Sequence, residues 1–455
     1  MSFSEKTKGK AGFRHAESIL ALGFLVVILL GTGLLALPAA ARNGQSIGLF
    51  DSLFTSTSAV CVTGLVAVDT GTTFSMFGQV VLLVLIQIGG LGFMVFATMI
   101  MMMLGRKISI KGRMLIRESM NSTSLSNLGW MTWLYLLLSL AIELIGTAVL
   151  SIRMIPLFGW KHGLWISLFH AVSAFCNAGF DLFGQYASLT SFSGDPLVLL
   201  TVATLIILGG LGFSVILETL QNRKGFRGLS LHTRIVLVTT CALLLAGTLF
   251  FWFVERTNPD TLAGRPEGEK ALNAFFQSVT MRTAGFNSFD LSRFKDGSKL
   301  FSSFLMMIGA SPASTGGGIK TTTMAVLALL ILSVVRGDSE VNVARRRLPG
   351  DIIRRALAVA VLFVTILLTG TLVISLIENG RFSLEDIFFE ASSAMGTVGV
   401  SALGTPNLSP AGRTVLLPMM FFGRVGPLTL AVAVAKRQGR IKSASKYPEE
   451  RIMIG

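Results

Sequence analysis

The chain has 455 residues, of which 52% are hydrophobic and 14% charged, with a mean hydropathy of +0.69 and a formal net charge of +15. A soluble domain carries about 25% charged residues, so this composition excludes one that meets water on every side. Three cysteines without metal-ligand or disulfide spacing, and four scattered histidines, exclude a metal centre or a disulfide scaffold and read as packing residues.

In chain order, Ser18 to Ala41, Thr70 to Gly105, Pro196 to Leu217, Ile235 to Val254 and Ala356 to Ile377 are free of charge. Ser119 to Leu150 carries only Glu143, Leu300 to Val335 only Lys320, and Arg413 to Ala435 only Arg424 beyond its first residue. Each is long enough to cross a hydrocarbon core of about 30 Å as a helix. Eight spans follow. ALPAAAR after the first looks like a signal-peptide cleavage site, but its apolar run exceeds the usual ~7–15 residues, so an uncleaved helix is expected. With eight spans both termini share one side. That side holds 25 of the 39 Lys and Arg residues, including RKISIKGR, Arg345-Arg346-Arg347 and KRQGRIK. Positive charge stays inside, which predicts cytoplasmic termini and makes topology, not nucleic acid, the reason for the basic excess; membrane lipid or an acidic partner is a further use of that face.

Between the paired spans a polar, Gly- and Thr-rich stretch occurs four times: SAVCVTGL, SAFCNAGF, VTMRTAGF and SAMGTVGV. Their glycines are Gly64, Gly179, Gly285 and Gly399, separated by 115, 106 and 114 residues, each ten residues after a phenylalanine (Phe54, Phe169, Phe275, Phe389). Four matches in register predict an internal duplication. The boundaries are 1–16 (N-terminal tail), 17–105, 129–221, 232–335 and 353–437 (four repeats) and 438–455 (C-terminal tail). Short helices are expected over 48–61, 162–176, 269–282 and 383–396, too short to cross, hence re-entrant. The fold class is an all-α membrane protein of four parallel membrane helix–pore-loop–membrane helix repeats around a central pore, with eight transmembrane and four pore helices.

A cation leaving water needs oxygen ligands, and a ring of backbone carbonyls supplies them without fixed charge. The triplets placed to do so are Val62-Thr63-Gly64, Asn177-Ala178-Gly179, Thr283-Ala284-Gly285 and Thr397-Val398-Gly399. None carries a carboxylate, which argues against a divalent-cation site. Four short helices would add roughly two negative charges from their C-terminal ends. A second glycine motif follows by 24 to 31 residues: IGGLGF (88–93), LGGLGF (208–213), TGGGIK (315–320) and FGRVGP (422–427). Close helix packing and a hinge are both open readings. For IGASPASTGGGIKTTT (308–323) a gate is expected, because irregular backbone at that depth must line a cavity or be buried in protein.

With these strings in place, the chain resembles the Trk/Ktr/HKT superfamily of potassium transporters over essentially its whole length, the bacterial Ktr membrane subunits most. The resemblance implies a potassium-translocating protein of the bacterial cytoplasmic membrane, homodimeric with one pore per protomer. It also implies a KtrA-like nucleotide-binding ring on the cytoplasmic face, with sodium as a candidate activator. Gly64 matches the potassium-selective pattern, and Ala313, Ser314, Thr315, Gly316, Gly317 and Gly318 match the gate loop. The third loop departs, with Val-Thr where the others have Ser-Ala. This chain has no GxGxxG or P-loop, so nucleotide belongs on the partner; no cofactor is expected here beyond transported potassium.

Three cations are expected at membrane depth. Arg424 is either salt-bridged or a positive barrier below the filter touching the gate loop, and the resemblance favours the barrier. Arg282 is expected to brace the third loop by donating to carbonyls. Lys320 is expected to snorkel to the cytoplasmic headgroups. Two other classes compete: an ion-coupled secondary transporter with discontinuous helices, whose inverted repeats need an odd number of spans, and a membrane-embedded enzyme, whose catalytic cluster the scattered acids and histidines do not supply.

Overall fold

The computed structural model describes residues 16–92, 128–338, 340–344 and 346–426. The tails, RKISIKGR, KRQGRIK and the segments after Gly92 and Gly426 lie outside the described residues.

Among the described residues the regular structure is helical apart from one hairpin of two-residue strands, Asn342–Val343 (β1) with Arg346–Arg347 (β2). In the first quarter, Ala16–Leu35 (α1) leads to a short helix, Leu49–Val60 (α2), and then Met76–Leu91 (α3). The second has Leu128–Phe158 (α4), Trp160–Phe175 (α5), Pro196–Leu211 (α6) and Phe213–Gln221 (α7). The third has Leu231–Glu255 (α8), Glu267–Thr280 (α9), Asp296–Met307 (α10) and Thr321–Arg336 (α11). Gly350–Glu378 (α12), Leu384–Gly396 (α13) and Pro410–Val425 (α14) complete the fourth. The short helices α2, α5, α9 and α13 fall within two residues of the expected ranges. Helix starts follow capping chemistry: the Ser75, Asp195 and Ser409 side chains accept from the first-turn amides of α3, α6 and α14. Pro196 and Pro410 open the latter two where no amide is needed.

Eight uninterrupted spans are not what the described residues contain. Gly129–Phe158, α8 and α12 are continuous and apolar enough to cross a membrane, and α6 with α7 make a fourth only as a pair bent by 97°. The bend falls at Gly212, at φ 93°, ψ 137°; α3 and α14 stop in the same way at Gly92 (87°, 134°) and Gly426 (94°, 129°). A side chain resists that backbone region, so the last glycine of the motif ends the helix whatever the hydropathy. The first glycine serves close approach. A Cβ on Gly89, Gly209 or Gly423 would run into the carbonyl oxygen of Val60, Phe175 or Met395, at or next to the end of the same quarter's short helix. The motif thus combines close approach at its first glycine with a helix end at its last.

The helix after each short helix packs on the short helix of the next quarter: α3 on α5, α6 on α9, α10 on α13, and α14 back on α2. Polar clamps mark each joint. Trp165 Nε1 donates to Gln79 Oε1 at 2.8 Å, and Asn273 Nδ2 to Ser193 O at 2.8 Å. The ion pairs Lys299–Asp386 (2.8 Å) and Arg413–Asp51 (2.9 Å) hold the other two. The inner face is phenylalanine-rich: Phe54, Phe169 and Phe389 are fully buried. In the third quarter Phe276, not Phe275, is fully buried. Cys61 and Cys176 are buried, as expected, whereas Cys241 is exposed on α8.

Candidate functional site

The four glycine triplets share one backbone. Val62, Asn177, Thr283 and Thr397 have φ of 55°, 58°, 72° and 52°, and Gly64, Gly179, Gly285 and Gly399 have 90°, 69°, 86° and 96°. For the three β-branched residues the left-handed region is a true outlier, at about 1–2 kcal/mol each. Such strain persists only where the surroundings enforce it. The amides supply the enforcement. Thr63, Ala178 and Val398 N–H donate back to the carbonyls of Ser58, Ser173 and Ser393 at 2.7–2.8 Å. Ser58 and Ser393 Oγ accept from Gly64 and Gly399 N–H at 3.0 Å.

The third loop explains its own departure from the pattern. Ala284 N–H bonds Thr280 O at 3.0 Å, four residues back instead of five. Thr280 Oγ1 donates to Phe286 O as Ser173 Oγ does to Phe180 O. The link from helix to glycine is one residue shorter there. The hydroxyl and the buried phenylalanine each move by one position and keep their places in space.

The glycines close a ring. A Cβ on Gly64 would lie 2.5 Å from Ala178 O, on Gly179 2.8 Å from Ala284 O, on Gly285 2.6 Å from Val398 O, and on Gly399 against Thr63 O. Among the described residues none of the twelve triplet carbonyls accepts a hydrogen bond. A cavity of about 600 Å³, lined by the four glycines and by Asp181, Asn287, Asp290 and Ser401, opens on this ring. Asp181 was not foreseen. It sits in the connection between α5 and α6; burial first, and then the neighbouring Asp69 carboxylate, push it up to about 7 against the opposing pull of the Phe183 and Gly184 amides.

Against the first residues of the triplets lies the connection between α10 and α11. Gly317 N–H donates to Thr397 Oγ1 at 3.1 Å, and a Cβ on Gly316 would strike Thr283 Oγ1. The loop is sewn to its surroundings: Ser311 and Thr315 N–H bond Gly210 O and Gly209 O, Gly318 N–H bonds Gly423 O, and Phe213 N–H bonds Ala313 O. Thr315 Oγ1 donates to Phe175 O at 3.0 Å. Arg424 occupies the place that Gly90 and Gly210 hold in the first two motifs. Its guanidinium donates to Thr315 O and Gly89 O, and to Gly90 O at 3.1 Å. No carboxylate pairs with it among the described residues; its partners there are backbone carbonyls.

Two cations differ from expectation. Lys320 does not snorkel: Nζ turns back to Gly316 O at 2.7 Å, because a loop carbonyl within reach is a better ligand than a distant headgroup. Arg282 is buried behind the third loop, but no carbonyl there accepts from it among the described residues, and Nε has no partner. The Thr283 and Thr397 hydroxyls, facing the loop, carried no sequence signal beyond their place in the triplets. Asn177, oriented by its amide neighbours, meets Thr283 Oγ1 at 3.1 Å.

The family model for TrkH, a cation transport protein, matches residues 2–444. The chain is 42% identical over 437 residues to the Ktr system potassium uptake protein B of Bacillus subtilis, covering 96% of each. It is 41% identical over 452 residues to the protein of that name from Vibrio alginolyticus, covering 99% of this chain and 97% of the other. The potassium/sodium uptake protein NtpJ of Enterococcus hirae is 37% identical, with 96% of each covered. The crystal structure of the potassium transporter TrkH from Vibrio parahaemolyticus shares the fold, at a TM-score of 0.69 and 17% identity, over 90% of this chain and 84% of that one. These relatives are transporters, not enzymes, and the chain belongs to the TrkH family of cation transport proteins, within its Ktr-type potassium uptake membrane proteins.

Proposed function

We propose that the chain is the potassium-translocating subunit of a Ktr-type uptake system in a bacterial cytoplasmic membrane, with both termini cytoplasmic. Val62–Gly64, Asn177–Gly179, Thr283–Gly285 and Thr397–Gly399 form its selectivity filter, and residues 313–318 its gate. One observation carries the reading: twelve carbonyls that accept no hydrogen bond among the described residues, on four uncharged triplets whose first and last residues share the left-handed region. Carbonyls that no protein group engages are free to act as ligands, and a dehydrated alkali ion takes oxygens of this class. The ends of α2, α5, α9 and α13 add partial negative charge there. Arg424 is the positive barrier beneath, and Arg282 supports the filter by filling the space behind the third loop. The membrane potential drives uptake, at about 2.3 kcal/mol per charge per 100 mV. A homodimer, a KtrA-like nucleotide-binding ring on the basic face, and activation by sodium complete the system.

The 97° break between α6 and α7 is a trait shared with ion-coupled secondary transporters. The purified chain in liposomes separates the two. Rubidium or potassium flux should follow an imposed inside-negative potential with no sodium gradient present. A strict requirement for an opposing or accompanying ion gradient would remove the pore reading.

The vestibule adds a dependence on outside pH. Asp181 gains its charge as pH rises through about 7. A unit charge ~10 Å from the path through water contributes about 0.4 kcal/mol, or about twofold. Flux at limiting potassium should therefore rise about twofold between pH 6 and pH 8, and Asp181→Asn should flatten that rise.

A further inference from the structure

We propose that Lys320 is a tethered cation that takes the place of a potassium ion beneath the filter while the gate loop is closed. The inference rests on the gate reading of residues 313–318 and names the side chain that competes there with the transported ion.

Lys320 Nζ donates to Gly316 O at 2.7 Å. Gly316 abuts the Thr283 hydroxyl, and the next amide, Gly317 N–H, is bonded to Thr397 Oγ1. The ammonium therefore sits on a carbonyl one residue away from the inner end of two filter triplets. The preceding carbonyl, Thr315 O, is taken by Arg424. Two successive loop carbonyls thus hold two fixed cations, which the gate reading puts on the route of an ion leaving the filter.

Neither charge is neutralised. No carboxylate lies within ion-pair distance of Lys320 among the described residues, and an ionised side chain at membrane depth needs a ligand or water. Helix stability does not account for the placement either. Lys320 is the N-cap residue of α11 and makes no capping bond, and a cation at a helix N-terminus opposes the dipole. What the ammonium does find is a carbonyl oxygen, the ligand class that a dehydrated alkali ion also takes. An ammonium is a compact point charge on a flexible four-carbon stem, so it can yield that oxygen when the loop withdraws. Closure then means occupation by lysine, and opening means exchange of lysine for potassium.

The test compares Lys320→Gln, which keeps a donor but removes the charge, with Lys320→Met, Lys320→Arg and the chain shortened across 313–318. All are full-length membrane protein in liposomes, with flux recorded against potassium on the loop side. Competition predicts that Lys320→Gln and Lys320→Met raise flux several-fold and lower the half-saturating potassium, while Lys320→Arg stays near the parent. If Lys320→Gln keeps the parent's half-saturation while loop shortening raises flux, lysine is only a staple and the inference is overturned. If shortening leaves flux flat, the gate reading itself fails. Thermal unfolding of each variant separates loss of fold from loss of charge, and a folded Lys320→Gln with reduced flux also overturns the inference.

Discussion

Gly64→Ser should lower discrimination between potassium and sodium by about tenfold or more, with flux of both ions retained. The residue stands at φ +90°, where a side chain costs about 1–2 kcal/mol. Its Cβ would also lie 2.5 Å from the Ala178 carbonyl oxygen, closer than two such atoms can remain. The ring must give, and what gives is a ligand. Every ~1.4 kcal/mol of ligand misplacement is a tenfold change in preference, so strain of this size suffices. The two-ion flux ratio of the purified variant measures it. Growth of a potassium-uptake-deficient strain on low potassium, unaltered by the change, would contradict the filter assignment. The neighbouring ring positions should behave alike, Gly399 most severely, since its Cβ meets Thr63 O at even closer range.

Removing residues 313–318 should raise flux tenfold or more without any cytoplasmic partner. The deletion takes away the acceptors of Arg424 and Lys320, the Gly317 bond to Thr397, and the Thr315 bonds to Gly209 and Phe175. At about 0.5–1.5 kcal/mol net per hydrogen bond, the closed arrangement loses several kcal/mol. The segments on either side of the loop are paired with each other: Gly309 N–H bonds Ile319 O at 2.9 Å and Ile319 N–H bonds Met307 O at 3.2 Å. Rubidium uptake into liposomes by the parent and shortened chains decides the matter, and equal rates would remove the gate.

The short helices and the triplets were legible because both are written in spacing. A glycine ten residues beyond a phenylalanine, four times over, fixes where a helix ends and where the backbone must turn left-handed. Hydropathy could not reveal that α3, α6 and α14 stop at Gly92, Gly212 and Gly426, since a broken apolar span reads the same as a straight one. The third loop misled for a related reason. Aligning on Gly285 hides a link one residue short, which only the Thr280 and Phe276 contacts disclose. The sequence offers Lys320 only the headgroups as partners, while its direction is set by a carbonyl four residues back. Asp181 carried no motif, because its surroundings are assembled from segments far apart in the chain.

The joint between α14 and α2 has a consequence for biosynthesis. Arg413 finds Asp51 across 362 positions of sequence. At ~5–20 residues per second of translation, α2 waits on the order of tens of seconds for its last neighbour to be made. Until then Asp51 and the flank of α2 must be shielded by lipid headgroups or by the insertion machinery. A ribosome that stalls before α14 would release a chain with three corners built and the fourth side open, a natural substrate for membrane quality control.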